Sequence, residues 1–375
     1  MLYRLSEMLV GVWGPFRLLG SHALLLAGGT LTAALLTWFL LPKFFARLPR
    51  DRGKTILKDM DGMKSAGKPT GAGVVVSLVA LPVAILFAPL AFWDFAAFLA
   101  LYAAMLFGYL DDRAEIPWGE MKKGLLDALV SCAIAAFIFL GHSEEIDGSR
   151  VMVAWLPFVK GQVVMNGVGV WLIPGWLYVP AAAFILWFTM NATNCSDGVD
   201  GLAGTLTVLT LVMLAVVLYV VVGYRPVAHY FLIPVYAEAA RWAIVVMIAA
   251  GAFAGYLWYN ANPSMVLMGD AGSRFLGILV ATASLMTGNP LFVLALAPVV
   301  LVNGGGGLGK LVLLRLAKRL GFQVPEDSAI RKIRFPLHDH CKKNLGWSNA
   351  QVLMRFTLLQ LLVMPVLILA LLKIR

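Results

Sequence analysis

The sequence predicts an all-α integral membrane protein with about ten transmembrane helices and a small extracytoplasmic β-hairpin. Of its 375 residues, 61% are hydrophobic and only 13% are charged, and the mean hydropathy is +0.84. A soluble globular domain has about 25% charged residues, so this balance is typical of a chain whose solvent is lipid. Long apolar stretches and a one-sided distribution of basic residues lead to the same prediction.

Ten stretches are apolar enough to cross the hydrocarbon core, which takes roughly 20 helical residues. They are 20–42, 73–92, 95–111, 124–141, 176–192, 201–222, 241–259, 273–288, 290–314 and 351–373. No segment between them is long enough to hold a soluble core, so residues 1–375 are predicted to form a single polytopic transmembrane domain. Gly251 and Gly255 fit a small-xxx-small contact between two helices.

The basic residues are concentrated on one side of the predicted bundle. Because segments between helices alternate sides, 20 of the 30 Lys and Arg residues fall on one side, and eight fall on the other, which also holds both termini. The positive-inside rule makes the first side cytoplasmic.

The longest outer segment, 142–175, is predicted to contain the β-hairpin. Val151, Val153 and Trp155 alternate along it, and a second β-rich run contains the turn-forming pair Asn166-Gly167.

The glycine-rich segment 304–310 matches most of a phosphate-binding loop. Leu311 occupies the position where such a loop needs Ser or Thr, and an apolar helix rather than a strand surrounds the segment. We therefore interpret these glycines as a kink or a close packing contact in the ninth helix.

Four polar clusters occur where predicted helices reach the cytoplasm. They are 108–113, 191–201, 260–273 and 335–340. The topology places all four on the same side, although the clusters were not used to derive it. Because carboxylates at a membrane edge are costly unless they serve a function, this coincidence predicts a functional site.

The residues in these clusters favour a site for a cation and phosphates. The neighbouring carboxylates of Asp111 and Asp112 repel each other, which raises one pKa or attracts a cation. Mg²⁺ takes oxygen ligands, usually one or two carboxylates with substrate phosphates, and Asp270 has a suitable glycine-rich setting. The basic segments on the same side would attract phosphates.

A purely structural interpretation of each cluster stays open at this point. Asp197 or Asp200 could cap the sixth helix, and Ser273 could cap the eighth. His338 and His340 could be solvated loop residues.

The clusters resemble the motifs of the polyprenyl-phosphate N-acetylhexosamine-1-phosphate transferase superfamily, which is glycosyltransferase family 4. Residues 191–201 read Asn-x-x-Asn-x-x-Asp-Gly-x-Asp-Gly, and 268–273 read Met-Gly-Asp-x-Gly-Ser. Residues 67–73 and 335–340 are similar to the branch of phospho-N-acetylmuramoyl-pentapeptide transferases. The resemblance runs in order over about 64–355.

The resemblance implies Mg²⁺-dependent transfer of phospho-MurNAc-pentapeptide from UDP-MurNAc-pentapeptide to undecaprenyl phosphate, with lipid I and UMP as products. It implies a multi-pass protein of the bacterial inner membrane with a cytoplasmic active site. Membrane lipids would surround it, a homodimer is plausible, and no nucleic acid is expected.

The same resemblance assigns roles to individual residues. Asp270 would be the Mg²⁺ ligand, and either Asp111 or Asp112 would orient or deprotonate the lipid phosphate. His338 and His340 would contact the phosphate or the sugar of the substrate. The residues implied to bind substrate are Lys64, Thr70, Asn191, Asn194, Asp197, Asp200 and Asn260.

Five positions depart from the pattern of the muramoyl branch, and two of them are Gly71 and Ala72, which stand where the branch usually has Met and Gly. Glu115 replaces a lysine, so Lys122 or Lys123 must supply that charge. Asp339 stands in the middle of a motif that otherwise has three histidines. Leu267 stands where many members have a phenylalanine thought to stack on uracil.

Two other functions are alternatives to the transfer of phospho-MurNAc-pentapeptide. A sister enzyme that transfers GlcNAc-1-phosphate would share most of the motifs. A secondary transporter would place ionisable residues near the membrane midplane in repeated broken helices. The centres of the predicted helices hold almost none, and the sequence has no convincing internal repeat.

Overall fold

The computed structural model describes residues 1–51, 65–116, 118–157, 159–165, 167–322, 324–325 and 328–373. Helices dominate these residues, because a helix satisfies its own backbone hydrogen bonds where lipid offers no partner. The helices are α1 (Leu2–Leu9), α2 (His22–Phe44), α3 (Ala72–Phe87), α4 (Phe92–Arg113), α5 (Glu120–His142), α6 (Gly175–Cys195), α7 (Leu202–Val222), α8 (Arg225–Tyr230), α9 (Ala239–Asn260), α10 (Gly269–Leu285), α11 (Phe292–Leu296), α12 (Pro298–Arg319), α13 (Ala329–Lys332), α14 (Leu337–Leu345) and α15 (Asn349–Lys373).

All ten predicted apolar stretches lie in helices, which confirms the multi-pass membrane fold. Eight helices of the described chain are long and apolar enough to cross a membrane, and α3 is a shorter apolar helix of 16 residues. The remaining stretch forms α10, in which every residue from Ala271 to Leu285 is buried. Helix α10 therefore lies at the centre of the bundle and contacts protein rather than lipid.

The predicted small-residue contact lies between α9 and α2. A Cβ atom added at Gly251 would come within 2.2 Å of the Thr30 carbonyl oxygen, and one at Gly255 within 2.6 Å of the Ala34 carbonyl oxygen. Only glycine lets the two backbones approach this closely.

The ninth stretch is broken at Ala297 and Pro298, before its glycines, and the first of these glycines lie in π-helical turns. Helix α11 ends before Ala297, and α12 begins at Pro298, passes through π-helical turns at Leu301–Gly305 and continues to Arg319. A Cβ atom at Gly304 would come within 1.8 Å of the Ala192 carbonyl oxygen of α6. These glycines thus serve close packing between α12 and α6.

The outer segment forms more structure than one hairpin. Four antiparallel strands, β1 (Ser143–Ile146), β2 (Ser149–Ala154), β3 (Val163–Met165) and β4 (Val168–Pro174), have the order β1-β2-β4-β3. The predicted turn at Gly167 joins β3 to β4, and Asp147-Gly148, both with positive φ, joins β1 to β2. Trp155 directly follows β2, and its indole N–H donates to the Thr287 carbonyl at 2.9 Å. This hydrogen bond connects the sheet to the helix bundle.

Candidate active site

The site forms where four helices end or begin at one end of the bundle. Asp111 and Asp112 lie in the last turn of α4, Asn194 lies in the last turn of α6, and Asp270 lies in the first turn of α10. Lys123 adds a charge from the first turn of α5.

Glycines allow these helices to meet. A Cβ atom added at Gly73 would lie 2.1 Å from the Cα and N atoms of Gly272, and one at Gly108 would lie 2.5 Å from the Asp270 carbonyl group. Helices α3 and α4 therefore pack directly on the backbone of the first turn of α10. This contact brings the acidic pair next to Asp270.

Asp270 lies among donors and cations from three helices. The Asn194 side-chain amide donates to Asp270 Oδ1 at 3.0 Å and also to Ser273 Oγ at 2.9 Å. Asp270 Oδ2 lies 3.6 Å from Arg274 Nη2 and 3.9 Å from Lys123 Nζ. The Asp270 side chain is 29% exposed, so a ligand can reach it.

Asp111 is paired with Lys123. The distance from Lys123 Nζ to Asp111 Oδ2 is 2.5 Å, and the Trp118 backbone N–H donates to Asp111 Oδ1 at 2.7 Å. Of the two lysines considered from the sequence, Lys123 supplies the charge, and Lys122 lies over the Trp118 ring at 3.6 Å. The Lys123 ammonium stands between Asp111 and Asp270.

Asp112 holds the beginning of α10. Its two carboxylate oxygens accept the backbone N–H groups of Asp270 at 3.0 Å and Ala271 at 3.2 Å. The first N–H groups of a helix have no partner within the helix, and an acidic acceptor there also interacts favourably with the helix dipole. Asp112 is thus a cap supplied by another helix, which fixes the residue that carries the Asp270 side chain.

The loop before α3 is fastened to the segment before α10 by backbone hydrogen bonds. Leu267 N–H donates to the Pro69 carbonyl, and Ala72 N–H donates to the Leu267 carbonyl. Thr70 lies in this loop, and its N–H donates to the Pro49 carbonyl. Lys64, the remaining predicted residue of this region, lies outside the described residues.

Asp200 and Asn260 connect the second and third polar clusters. Asp200 accepts hydrogen bonds from the backbone N–H and the hydroxyl of Ser264, and Lys68 Nζ lies 3.9 Å from Asp200 Oδ2. The buried Asn260 accepts from the Gly201 N–H at 2.8 Å and donates to the Val266 carbonyl at 2.8 Å. These contacts hold the two clusters together.

The prediction that Asp197 or Asp200 caps α7 and that Ser273 caps α10 is wrong. Helix α7 begins after Gly201 without a hydrogen bond from a capping side chain among the described residues. Ser273 is the fifth residue of α10, where its hydroxyl donates to the Gly269 carbonyl. The half-buried Asp197 lies in the turn between α6 and α7.

His338 and His340 lie on α14 rather than in a loop. His338 is 2% exposed, and both its backbone N–H and its Nδ1 lie within 3.2 Å of Asn303 Oδ1. A Cβ atom at Gly198 would come within 2.2 Å of His338 Nε2, so this ring packs on the 191–201 cluster. The half-buried His340 accepts a hydrogen bond from the Arg334 N–H at 3.3 Å, and Asp339 lies 3.8 Å from Lys343.

Asn191 differs from Asn194 in its contacts. It lies nearly one turn earlier on α6, and its amide donates to the Trp187 carbonyl of the same helix at 2.9 Å. Asn191 also forms a side-chain hydrogen bond with Asp127 of α5, whereas Asn194 reaches across to Asp270.

Sequence reasoning missed several polar residues of this region. Arg274 is ion-paired with Asp127, and Asn303 accepts from His338. Asp127 stands inside the apolar stretch 124–141, and a carboxylate there is expensive without a partner, so that signal was present. The partner of Asp127 could not be read from the sequence, because it lies 147 residues away.

The fold and this site define a multi-pass membrane protein with a polar centre of carboxylates, amides and cations at one end of its helix bundle. Residues 95–288 match the model of the family described as glycosyl transferase family 4. The chain is 42% identical over 349 residues to the phospho-N-acetylmuramoyl-pentapeptide-transferase of Treponema pallidum strain Nichols, covering 93% of this chain and 90% of that protein.

Proteins of the same name from two other bacteria are also similar. The match to Gemmatimonas aurantiaca is 28% identical over 396 residues and covers both chains completely. The match to Borreliella burgdorferi strain ZS7 is 28% identical over 377 residues, 96% of this chain and 98% of that protein. The chain belongs to glycosyl transferase family 4, which confirms the resemblance found in the motifs.

Proposed function

We propose that this protein transfers phospho-MurNAc-pentapeptide from UDP-MurNAc-pentapeptide to undecaprenyl phosphate and forms lipid I and UMP. The observation that carries the proposal is the convergence of Asp111, Asp112, Asn194 and Asp270 at one end of a membrane bundle. The names of the similar proteins favour this reaction over GlcNAc-1-phosphate transfer, and family membership argues against a transporter.

We propose Mg²⁺ as the cofactor, with Asp270 as its protein ligand. The described residues contain no group of three or more His, Cys, Asp and Glu side chains that could hold a metal on their own. Mg²⁺ usually takes one or two protein carboxylates together with waters and substrate phosphates, and the partly exposed Asp270 offers one carboxylate. Lys123 lies near the carboxylates of Asp111 and Asp270, and Arg274 lies near those of Asp127 and Asp270.

The reaction requires one bond to form and one to break. An oxygen of the lipid phosphate attacks the phosphorus that carries the sugar, and the bond from this phosphorus to the UMP oxygen breaks. A phosphate monoester has a second pKa near 6, so it is largely ionised at neutral pH without a strong base. Such reactions depend mainly on positioning and on neutralising charge. When bound, Mg²⁺ would neutralise the diphosphate.

The chain's own residues would supply the positioning. Lys123 would attract the lipid phosphate, and Asp112 would keep the first turn of α10 in place. All four carboxylate oxygens of Asp111 and Asp112 already have partners. Those of Asp111 contact Lys123 and the Trp118 N–H group, and those of Asp112 accept two backbone N–H groups. We therefore favour direct attack by the lipid phosphate over a phosphorylated aspartate.

The loop of Asp197 and Asp200, together with Lys68, would bind the nucleoside. His338, which packs on Gly198 of that loop, would contact the substrate from the side of α14. We place the site on the cytoplasmic side of the bacterial inner membrane, because the basic residues concentrate there and the nucleotide substrate is water-soluble.

The test is a transfer assay with the purified protein in detergent, undecaprenyl phosphate and either UDP-MurNAc-pentapeptide or UDP-GlcNAc. We expect lipid I and UMP from the first donor only, and no product when Mg²⁺ is removed. Asp270→Asn should lower the rate roughly 1,000-fold, because a metal stabilises transition-state charge by several kcal/mol. Full Mg²⁺-dependent activity of this variant would refute the assignment of Asp270.

A further inference from the structure

Arg274 lies one helical turn after Asp270, and its guanidinium stands between two carboxylates. Nη1 forms an ion pair with Asp127 Oδ1 of α5, and Nη2 lies 3.6 Å from Asp270 Oδ2. The side chains of Arg274 and Asp127 are 5% and 0% exposed. One buried arginine is therefore shared between a hidden carboxylate and the carboxylate that faces the site.

The two contacts of this arginine are unequal. The contact with Asp127 is a hydrogen-bonded ion pair, which is the stronger form of an arginine–carboxylate interaction. The contact with Asp270 is longer than a normal N–H···O hydrogen bond, which spans about 2.7–3.2 Å. Asp127 thus draws the guanidinium toward the interior, and Asp270 Oδ2 remains available to another cation.

The stability of the folded protein does not explain why Arg274 and Asp127 are buried as an ion pair. Burying two charges carries a large desolvation penalty, and an apolar pair of similar size is often as stable or more stable. Arg274 Nε has no hydrogen-bond partner in the described part of the chain, so the network is only partly satisfied. The location of the pair, next to Oδ2 of the partly exposed Asp270, points to a role in the site.

We propose that Asp127 is a positioning residue that holds Arg274 away from Asp270 and so keeps the Asp270 carboxylate open to a cation. Without the charge of Asp127, the guanidinium would turn toward Asp270, to which Arg274 Nη2 already lies 3.6 Å away. It would form the bidentate pair that arginine prefers, and a cation would have to displace it. The inference rests on the proposed function, because the cation concerned is the Mg²⁺ assigned to Asp270.

The test compares the Mg²⁺ requirement of wild type, Asp127→Asn and the double variant Asp127→Asn/Arg274→Gln in full-length protein. We expect Asp127→Asn to raise the half-saturating Mg²⁺ concentration about tenfold, since the guanidinium would close to hydrogen-bond distance of Asp270. Saturating Mg²⁺ should restore most of its maximal rate. The double variant has no competing arginine and should return to within about twofold of wild type.

A second measurement does not depend on activity. Thermal unfolding in detergent is followed while Mg²⁺ is added without substrates, because an ion that binds the folded state raises the midpoint. The Mg²⁺ concentration that gives half of this rise should shift about tenfold in Asp127→Asn and return in the double variant. Loss of stability alone would lower every midpoint without changing this concentration.

The outcomes separate the inference from the proposed function. A wild type that neither needs Mg²⁺ nor is stabilised by it would contradict the proposed function. A Mg²⁺-dependent wild type with an unchanged requirement in Asp127→Asn would overturn only the role of Asp127. If Asp127→Asn does not fold, the double variant is used alone. A Mg²⁺ response that is tenfold weaker than in wild type, although Arg274 is absent, would overturn the proposed role of Asp127.

Discussion

Replacing Gly73 with alanine tests whether the contact between α3 and α10 sets the geometry of the site. The added Cβ atom would lie 2.1 Å from the Gly272 backbone, whereas an ordinary van der Waals contact begins at 3.4 Å, so the helices must separate by about 1.3 Å. Gly272 follows Asp270 by two residues, and the shift moves the carboxylate. A displacement of about 1 Å can cost roughly 100-fold in rate. Overpacking of this kind costs about 1–3 kcal/mol of stability.

The assay is lipid I formation at saturating substrates, with thermal unfolding in detergent as the control for folding. Gly309→Ala is the matched control, because Gly309 also lies in a helix but has nothing within 4 Å of its added Cβ atom. It should keep wild-type activity. A Gly73→Ala protein that folds and transfers at the wild-type rate would refute the reasoning.

Two further variants test the capping and the charge of the site. Asp112→Ala removes the acceptor of two backbone N–H groups and should lower the free energy of unfolding by about 2–4 kcal/mol, with a loss of activity at least as large as that of Gly73→Ala. Unchanged thermal unfolding would contradict the cap. Lys123→Met leaves the 8% exposed Asp111 unpaired and should reduce the transfer rate about tenfold or more, whereas Lys122→Met should stay within about twofold. Equal losses in the two lysine variants would contradict the assignment of the charge to Lys123.

The sequence predicted the membrane bundle well, because a transmembrane helix is recognised from a local apolar pattern. Hydrophobic length located all ten helices, and the motif residues Asp111 and Asp270 indeed lie together. The glycines at 304–306 were correctly interpreted as packing rather than phosphate binding, since Gly304 lies against α6.

The sequence could not predict the features of the fold and the site that depend on contacts between distant segments. The pairing of β2 with β4 and the pair of Asp127 with Arg274 join residues far apart in the chain. The pattern of apolar and polar residues does not specify such partners. The role of Asp112 as a cap was also hidden, because the helix that it caps begins 157 residues later, at Gly269.

Asn260 has a consequence for the motions of the protein. Its buried amide binds Gly201 on one side and Val266 on the other, so the loop before α7 and the segment before α10 share a hydrogen-bonded centre. Segments that share buried hydrogen bonds tend to open together as one cooperative unit. In hydrogen–deuterium exchange, the amides of both segments should therefore exchange at a common rate, and Asn260→Ala should accelerate the two together. The nucleoside loop and the segment that leads into Asp270 are, in that sense, one dynamic unit made from two motifs.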